Sequence, residues 1–269
     1  MKVVEKLMKA LADHLSNKSR LMKKNIDQFC ADTYNEFFSI FDGYNKRLIS
    51  ILNTLLESPP QVVLDLGCGT GLSTLALGSC FPKTKVLGVD IDAGMIASAK
   101  SRKKHPNLEF HCSEISEIIA KTPDKTVDLI FVKSAYHYFD KQITLDHLKP
   151  LLKENGAIVI VERTARSARS YALPEIASNY WESVFEEPRP SRRLENSSLF
   201  DMPLTVSCYG EQVSIPTEVY VHAAKENQLV GLWMLKPEVI STWIEDNLSQ
   251  GIDVFRVFEE HWLYIYRNI

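Results

Sequence analysis

The chain has 269 residues, with 31 lysines and arginines against 34 aspartates and glutamates, a formal charge of −3 at pH 7. Hydrophobic residues make up 45% and charged residues 24%, a balance too apolar for a chain that stays disordered. The small net charge excludes a sequence-wide pull toward nucleic acid or an anionic membrane.

Five cysteines (Cys30, Cys68, Cys80, Cys112, Cys208) form no CxxC pair. That predicts neither a disulfide framework nor a zinc site, and points to a reducing, cytoplasmic compartment. No apolar run approaches the about 18 residues of a membrane-spanning helix. Val4, Leu7, Met8, Leu11 and Leu15 fall at helical spacing among charges, the pattern of an amphipathic surface helix and not of a signal peptide.

Residues 1–56 read as two or three helical pieces, the last with Leu48, Ile51, Leu52 and Leu55 on its core face and Pro59-Pro60 as its stop. From Val62 the pattern alternates. Apolar runs at Val62–Leu66, Val86–Val89, Leu108–Phe110, Val127–Val132 and Ala157–Val161 are separated by helical spacings at Thr74–Ser79, Gly94–Lys104, Ile115–Ala120 and Ile143–Leu152. Strands apolar on both faces, alternating with helices, predict a doubly wound α/β layout around a parallel sheet. After Glu162 a polar, basic stretch leads to a helix over 174–187, a loop over 188–203 and strands near Leu204–Tyr209, Val213–Ile215 and Glu218–His222. A helix near Pro237–Asn247 and a last strand at Trp262–Tyr266 complete the chain.

The densest signal is Asp65-Leu66-Gly67-Cys68-Gly69-Thr70-Gly71, a buried strand entering a glycine turn and then a helix. Glycines admit close backbone approach to a ligand, and the helix start behind them offers unpaired N–H groups. Dinucleotide folds place the third glycine three positions after the second; here it comes after two, and Leu72 stands where glycine is wanted. Asp65 would repel a pyrophosphate but suits a cation. S-adenosylmethionine, with its ammonium and sulfonium and no phosphate, fits that charge pattern better than NAD. The next strand ends in Asp90, where a carboxylate can accept both ribose hydroxyls.

This stretch, with the element order from Gln61 to Glu162, resembles the class I S-adenosylmethionine-dependent methyltransferases. The resemblance implies a seven-stranded, mostly parallel, Rossmann-like sheet with helices on both faces, an antiparallel last strand and a β-rich insert after the fifth strand. It divides the chain into a helical N-terminal segment and lid (1–58) and a methyltransferase domain (59–269), with a cofactor core at 61–162 and an acceptor insert at 163–260. It assigns Asp65, Gly67, Cys68, Gly69, Gly71, Asp90 and Ile91 to the cofactor, with Met95 against the adenine. Glu114 and Ile115 face the adenine edge, Lys133 lies toward the methyl group, and Tyr34 and Tyr44 serve as lid or packing. No metal is expected.

Ala135-Tyr136-His137-Tyr138-Phe139-Asp140 resembles the loop of small-molecule enzymes of the trans-aconitate methyltransferase type. His137 is then a base or a scaffold residue, and Tyr136, Tyr138 and Trp181 are acceptor-site aromatics. Arg163 is a carboxylate anchor, with Arg166 and Arg169 as further candidates on the same side. The expected reaction is methyl transfer to oxygen or nitrogen of a small, partly apolar metabolite, a carboxylic acid among the options, releasing S-adenosylhomocysteine. Neither nucleic acid nor membrane is an expected partner, and monomer and homodimer both stay open. Two alternatives also stay open: a protein- or RNA-modifying methyltransferase, disfavoured by the near-neutral charge, and a non-catalytic cofactor binder.

Overall fold

The five apolar runs become parallel strands, and a longer C-terminal pair completes the sheet. The computed structural model describes residues 30–103, 105–139, 147–170, 202–226 and 253–269, with Ser241, Ile244 and Gly251. In chain order the elements are α1 (Ala31–Phe38), α2 (Asp42–Leu55), β1 (Val62–Leu66), α3 (Leu72–Cys80), β2 (Lys85–Asp90), α4 (Ala93–Ser101), β3 (Leu108–Cys112), α5 (Ile115–Lys121) and β4 (Val127–Lys133). Then follow β5 (Leu152–Arg163), α6 (Ala165–Ser170), β6 (Leu204–Pro216), α7 (Thr217–Lys225) and β7 (Val254–Arg267).

The sheet order is β3-β2-β1-β4-β5-β7-β6. β1 pairs in parallel with β2 and with β4, β2 with β3, and β4 with β5, whereas β7 runs antiparallel to β5. The order reverses between β1 and β4, which opens a crevice beyond their carboxyl ends, the usual ligand position in such sheets. β1 and β4 are buried along almost their whole length, because helices cover both faces. Leu66, Val89, Ile130, Val132, Ile158 and Ile160 lie at the centre of the core.

The chain divides into two compact units. One comprises Phe41–Thr164, Pro188–Glu211 and Glu260–Ile269; the other comprises Met1–Ile40, Ala165–Glu187 and Gln212–Glu259. Within the second, Tyr220 is fully buried and stacks on Phe255 at 4.4 Å between ring centroids. There too the Arg166 guanidinium sits 3.8 Å above the Phe258 ring, and Tyr34 packs on Phe38 at 4.3 Å.

Three expectations are corrected. The helix read over Ile143–Leu152 ends differently: Lys149–Leu151 is a 3₁₀ turn and Leu152 already begins β5. Pro150 has no N–H to continue a helix, and the carbonyls of Pro150 and Leu151 accept from Lys125 and Thr126 at 2.9 and 3.0 Å. The strand read at Glu218–His222 is part of helix α7. Its β-branched residues suggested a strand, but Pro216 starts the helix and the buried Tyr220, Ala223 and Ala224 share one helical face. The stretches read as strands at Leu204–Tyr209 and Val213–Ile215 are one strand, β6. The helices expected over 1–16 and 174–187 lie outside the described residues, as does nearly all of the one expected near 237–247. Among the described residues, no helix is long and apolar enough to cross a membrane.

Candidate functional site

The glycine turn is fastened to the end of β2. Gly67 N and Cys68 N both donate to Val89 O, at 2.8 and 3.0 Å, and Gly69 N donates to Asp90 Oδ2 at 2.8 Å. Gly67 (φ +73°) has no room for a side chain, since a Cβ would lie 2.4 Å from that of Ala135. Gly69 (φ +54°) differs: a Cβ there would meet nothing within 4 Å. One face of the turn is therefore packed and the other open. Gly71 forms the cap of α3.

Asp65 is the polar exception in an apolar strand, and it is fully buried. Its Oδ2 accepts from Ser73 Oγ at 2.8 Å and Thr74 Oγ1 at 2.6 Å, while Oδ1 has no partner among the described residues. Burial pushes its pKa up to about 6, against the two hydroxyls and the nearby Lys133 ammonium. A buried carboxylate oxygen without a donor is costly, and a ligand ammonium would satisfy it. Cys68 is buried, and desolvation beside Asp65 and Asp90 raises its pKa, which keeps the thiol protonated.

Asp90 was expected to keep its carboxylate for a ribose. Its oxygens already accept from Gly69 N and, at 3.0 Å, from Asp92 N. Each oxygen retains a second lone pair, so the acid shapes the turn and can still accept. Burial raises its pKa as well. Asp92, which sequence reasoning passed over, caps α4 by accepting from Met95 N at 2.8 Å. Met95 is buried, whereas Ile91 is 57% exposed. Glu114 is exposed at the start of α5, its Oε2 accepting from Ser116 Oγ at 3.3 Å, and Ile115 is half-buried.

At the other side of the crevice, β4 ends in the half-buried Lys133 and then Ser134, whose φ of +52° is a left-handed conformation that non-glycine residues seldom adopt. Ser134 N donates to Val161 O at 2.8 Å, so the strained turn is anchored to β5. A 3₁₀ turn over Tyr136–Tyr138 follows. Tyr136 belongs to the core, its ring edge-on to Phe139 at 5.7 Å, and Tyr138 is 46% exposed. The ring of His137 and all of Trp181 lie outside the described residues, as does the side chain of Arg169.

Arg163, half-buried at the end of β5, stands in register with His261 on β7. His261 is fully buried and was not singled out in the sequence. The Tyr44 hydroxyl donates to Tyr209 O at 2.9 Å and lies 2.9 Å from His261 Nδ1. With the phenol proton given to the carbonyl, Nδ1–H is the donor to the phenol oxygen. Desolvation, and then the charges of Lys133 and Arg163, hold the imidazole well below its ordinary pKa, and so neutral. Tyr44, expected as lid or packing, is 1% exposed and packs. Tyr34 lies in the other unit. His261 shares the buried face of β7 with Leu263 and Ile265, and that spacing of two is the signal in the sequence that could have found it.

Residues 63–156 match the family described as "Methyltransferase domain". Over those residues the chain is similar to that family, and the strand order and the glycine turn agree with the likeness. Its curated relatives include two proteins named as methyltransferases. A trans-aconitate 2-methyltransferase of Methylobacterium radiotolerans is 30% identical over 154 residues, 53% of this chain and 56% of that one. A malonyl-[acyl-carrier protein] O-methyltransferase of Priestia megaterium is 28% identical over 141 residues, 52% and 50%. The chain thus spans about half the length of these curated relatives. A solved structure from Anaeromyxobacter dehalogenans, described as a type II methyltransferase, shares the fold with a TM-score of 0.55 at 16% identity, over 83% of this chain and 96% of that one.

Proposed function

We propose that the protein transfers a methyl group from S-adenosylmethionine to oxygen or nitrogen of a small, partly apolar metabolite, with a carboxylic acid as the favoured acceptor. The observation that carries this reading is Asp65: a buried carboxylate oxygen without a donor, at the mouth of a turn whose Gly69 side is open. Such a site fits a cationic ligand approaching close to the backbone.

When bound, S-adenosylmethionine supplies a methyl carbon already activated by its sulfonium. Asp65 and the backbone of Gly67, Cys68, Gly69 and Gly71 would hold its amino-acid end. Asp90 would accept the ribose hydroxyls, and the exposed Ile91, with Met95 behind it, would cover one face of the adenine. Glu114 and the Ile115 N–H would meet the adenine edge. Lys133 would sit between donor and acceptor, and Arg163 would pair with an acceptor carboxylate while Tyr138 covers its apolar part. A carboxylate acceptor is already deprotonated, so alignment and exclusion of water can supply the rate without a base. A hydroxyl or ammonium acceptor would need one, and His137 is the candidate.

The names of two relatives, with trans-aconitate and a carrier-bound malonyl group, support an acid acceptor. The test is transfer of radiolabel from S-adenosylmethionine into pools of free organic acids, acyl-carrier thioesters, other metabolites, folded proteins and RNA. Label in an acid ester is the expected result; label confined to protein or RNA would sink the small-molecule reading. A cytoplasmic location belongs to the same proposal.

A further inference from the structure

Arg102 caps the C-terminal end of α4, and its side chain is only 19% exposed. It turns back toward the glycine turn. Nη1 donates to the carbonyl oxygen of Thr70 at 3.4 Å, and Nη2 lies 3.7 Å from Asp42 Oδ2 in the first turn of α2. Both charges sit where helix dipoles favour them, the cation at a helix end and the anion at a helix start.

Thr70 lies between Gly69 and Gly71, both with positive φ. It is 1% exposed, and its hydroxyl oxygen has no partner among the described residues. The fastenings to Val89 and Asp90 hold only the first half of the turn, Gly67 to Gly69. The second half is flanked by residues with little backbone stiffness of their own. A planar guanidinium with donors in fixed directions can hold a carbonyl and a carboxylate together, which a single ammonium cannot do equally well.

We propose that Arg102 is a positioning residue for the methyl donor: it locks the Thr70 end of the glycine turn to the first turn of α2, so that the turn is already in its binding shape. This rests on the donor assignment proposed above. Arg102 does not touch the donor; it reduces the ordering that binding must otherwise supply.

The test is calorimetric titration of S-adenosylhomocysteine into the wild-type chain and four variants, with the unfolding midpoint of each measured without ligand. Arg102→Gln should raise Kd roughly ten-fold, the usual scale for one hydrogen bond to a charged group, with little change in midpoint. Arg102→Lys should recover part of the affinity, because an ammonium reaches one of the two partners. Asp42→Asn should fall between wild type and Arg102→Gln. Lys121→Ala, which breaks an exposed ion pair with Glu117, should match wild type. An unchanged Kd with a lowered midpoint in Arg102→Gln would reduce Arg102 to a structural role and overturn the proposal. If that variant does not fold, a wild-type Kd in both Arg102→Lys and Asp42→Asn overturns it equally. A wild-type chain that binds no S-adenosylhomocysteine removes the donor assignment, and this proposal with it.

Discussion

The hydroxyl of Tyr44 on α2 and Nδ1 of His261 on β7 meet 2.9 Å apart in the interior, 217 residues from each other in sequence. Tyr209 closes the group, accepting the phenol proton and stacking on Tyr44 at 5.3 Å. Just outside it, Arg47 pairs with Glu211, which also accepts from the Tyr209 hydroxyl at 2.5 Å. The first helix of this unit is thereby tied to β6 and β7.

Removing that tie should be visible in stability. Tyr44→Phe leaves the buried Nδ1–H and the Tyr209 carbonyl without the phenol between them, a loss of about 1–3 kcal/mol measurable by chemical denaturation. The pair also has a pH signature. The folded pKa of His261 is depressed, so the unfolded chain binds a proton that the folded chain refuses. Its contribution to stability is complete above the ordinary histidine value of about 6.5 and is lost as pH falls below it. The stability difference between wild type and His261→Asn, whose amide can still donate to Tyr44, should therefore narrow from pH 7 to pH 5.5.

Asp65 works in the opposite sense. Its folded pKa is raised to about 6, so the ligand-free fold carries an unfavourable buried charge at pH 7 that protonation relieves. A bound ammonium would need the carboxylate ionised. The affinity for S-adenosylhomocysteine should thus weaken as pH falls through about 6, approaching ten-fold per pH unit below it. Asp65→Asn should bind more weakly at pH 7 and lose this dependence. A pH-independent wild-type affinity would remove Asp65 from the site.

Two glycines two residues apart in one turn should respond differently to the same methyl group. Gly69→Ala adds a Cβ into open space at a left-handed φ, which costs about 1–2 kcal/mol of stability but should obstruct the donor and raise its Kd far more. Gly67→Ala forces a Cβ against that of Ala135, so the strand and the loop must move apart. Its main effect should be a fall in unfolding midpoint, before any ligand is added.

Kinetics separate the two ends of the site. Arg163→Met should raise KM for an acid acceptor with kcat and the affinity for S-adenosylhomocysteine unchanged, the pattern of lost uniform binding. An equal loss in kcat and kcat/KM would instead mean that Arg163 acts in the transition state.

Local pattern was enough for the glycine turn and the elements around it. The strand, the turn from Gly67 to Gly71 and the acid at the end of β2 lie within one short β-α-β unit, where backbone sterics and helix starts act between near neighbours. β1 through β4 fell where continuous apolar runs lay, with only their ends extended. Local pattern failed where two propensities competed, as in the β-branched stretch that Pro216 turned into α7, and where a 3₁₀ turn with Pro150 in it stands in place of the expected helix end before β5. It could not show which residues meet around His261. His261, Arg163, Lys133 and Tyr44 come from four elements, and their meeting depends on β7 running antiparallel beside β5. That pairing is set by the burial of whole sheet faces against distant helices, a property that no short stretch of residues carries.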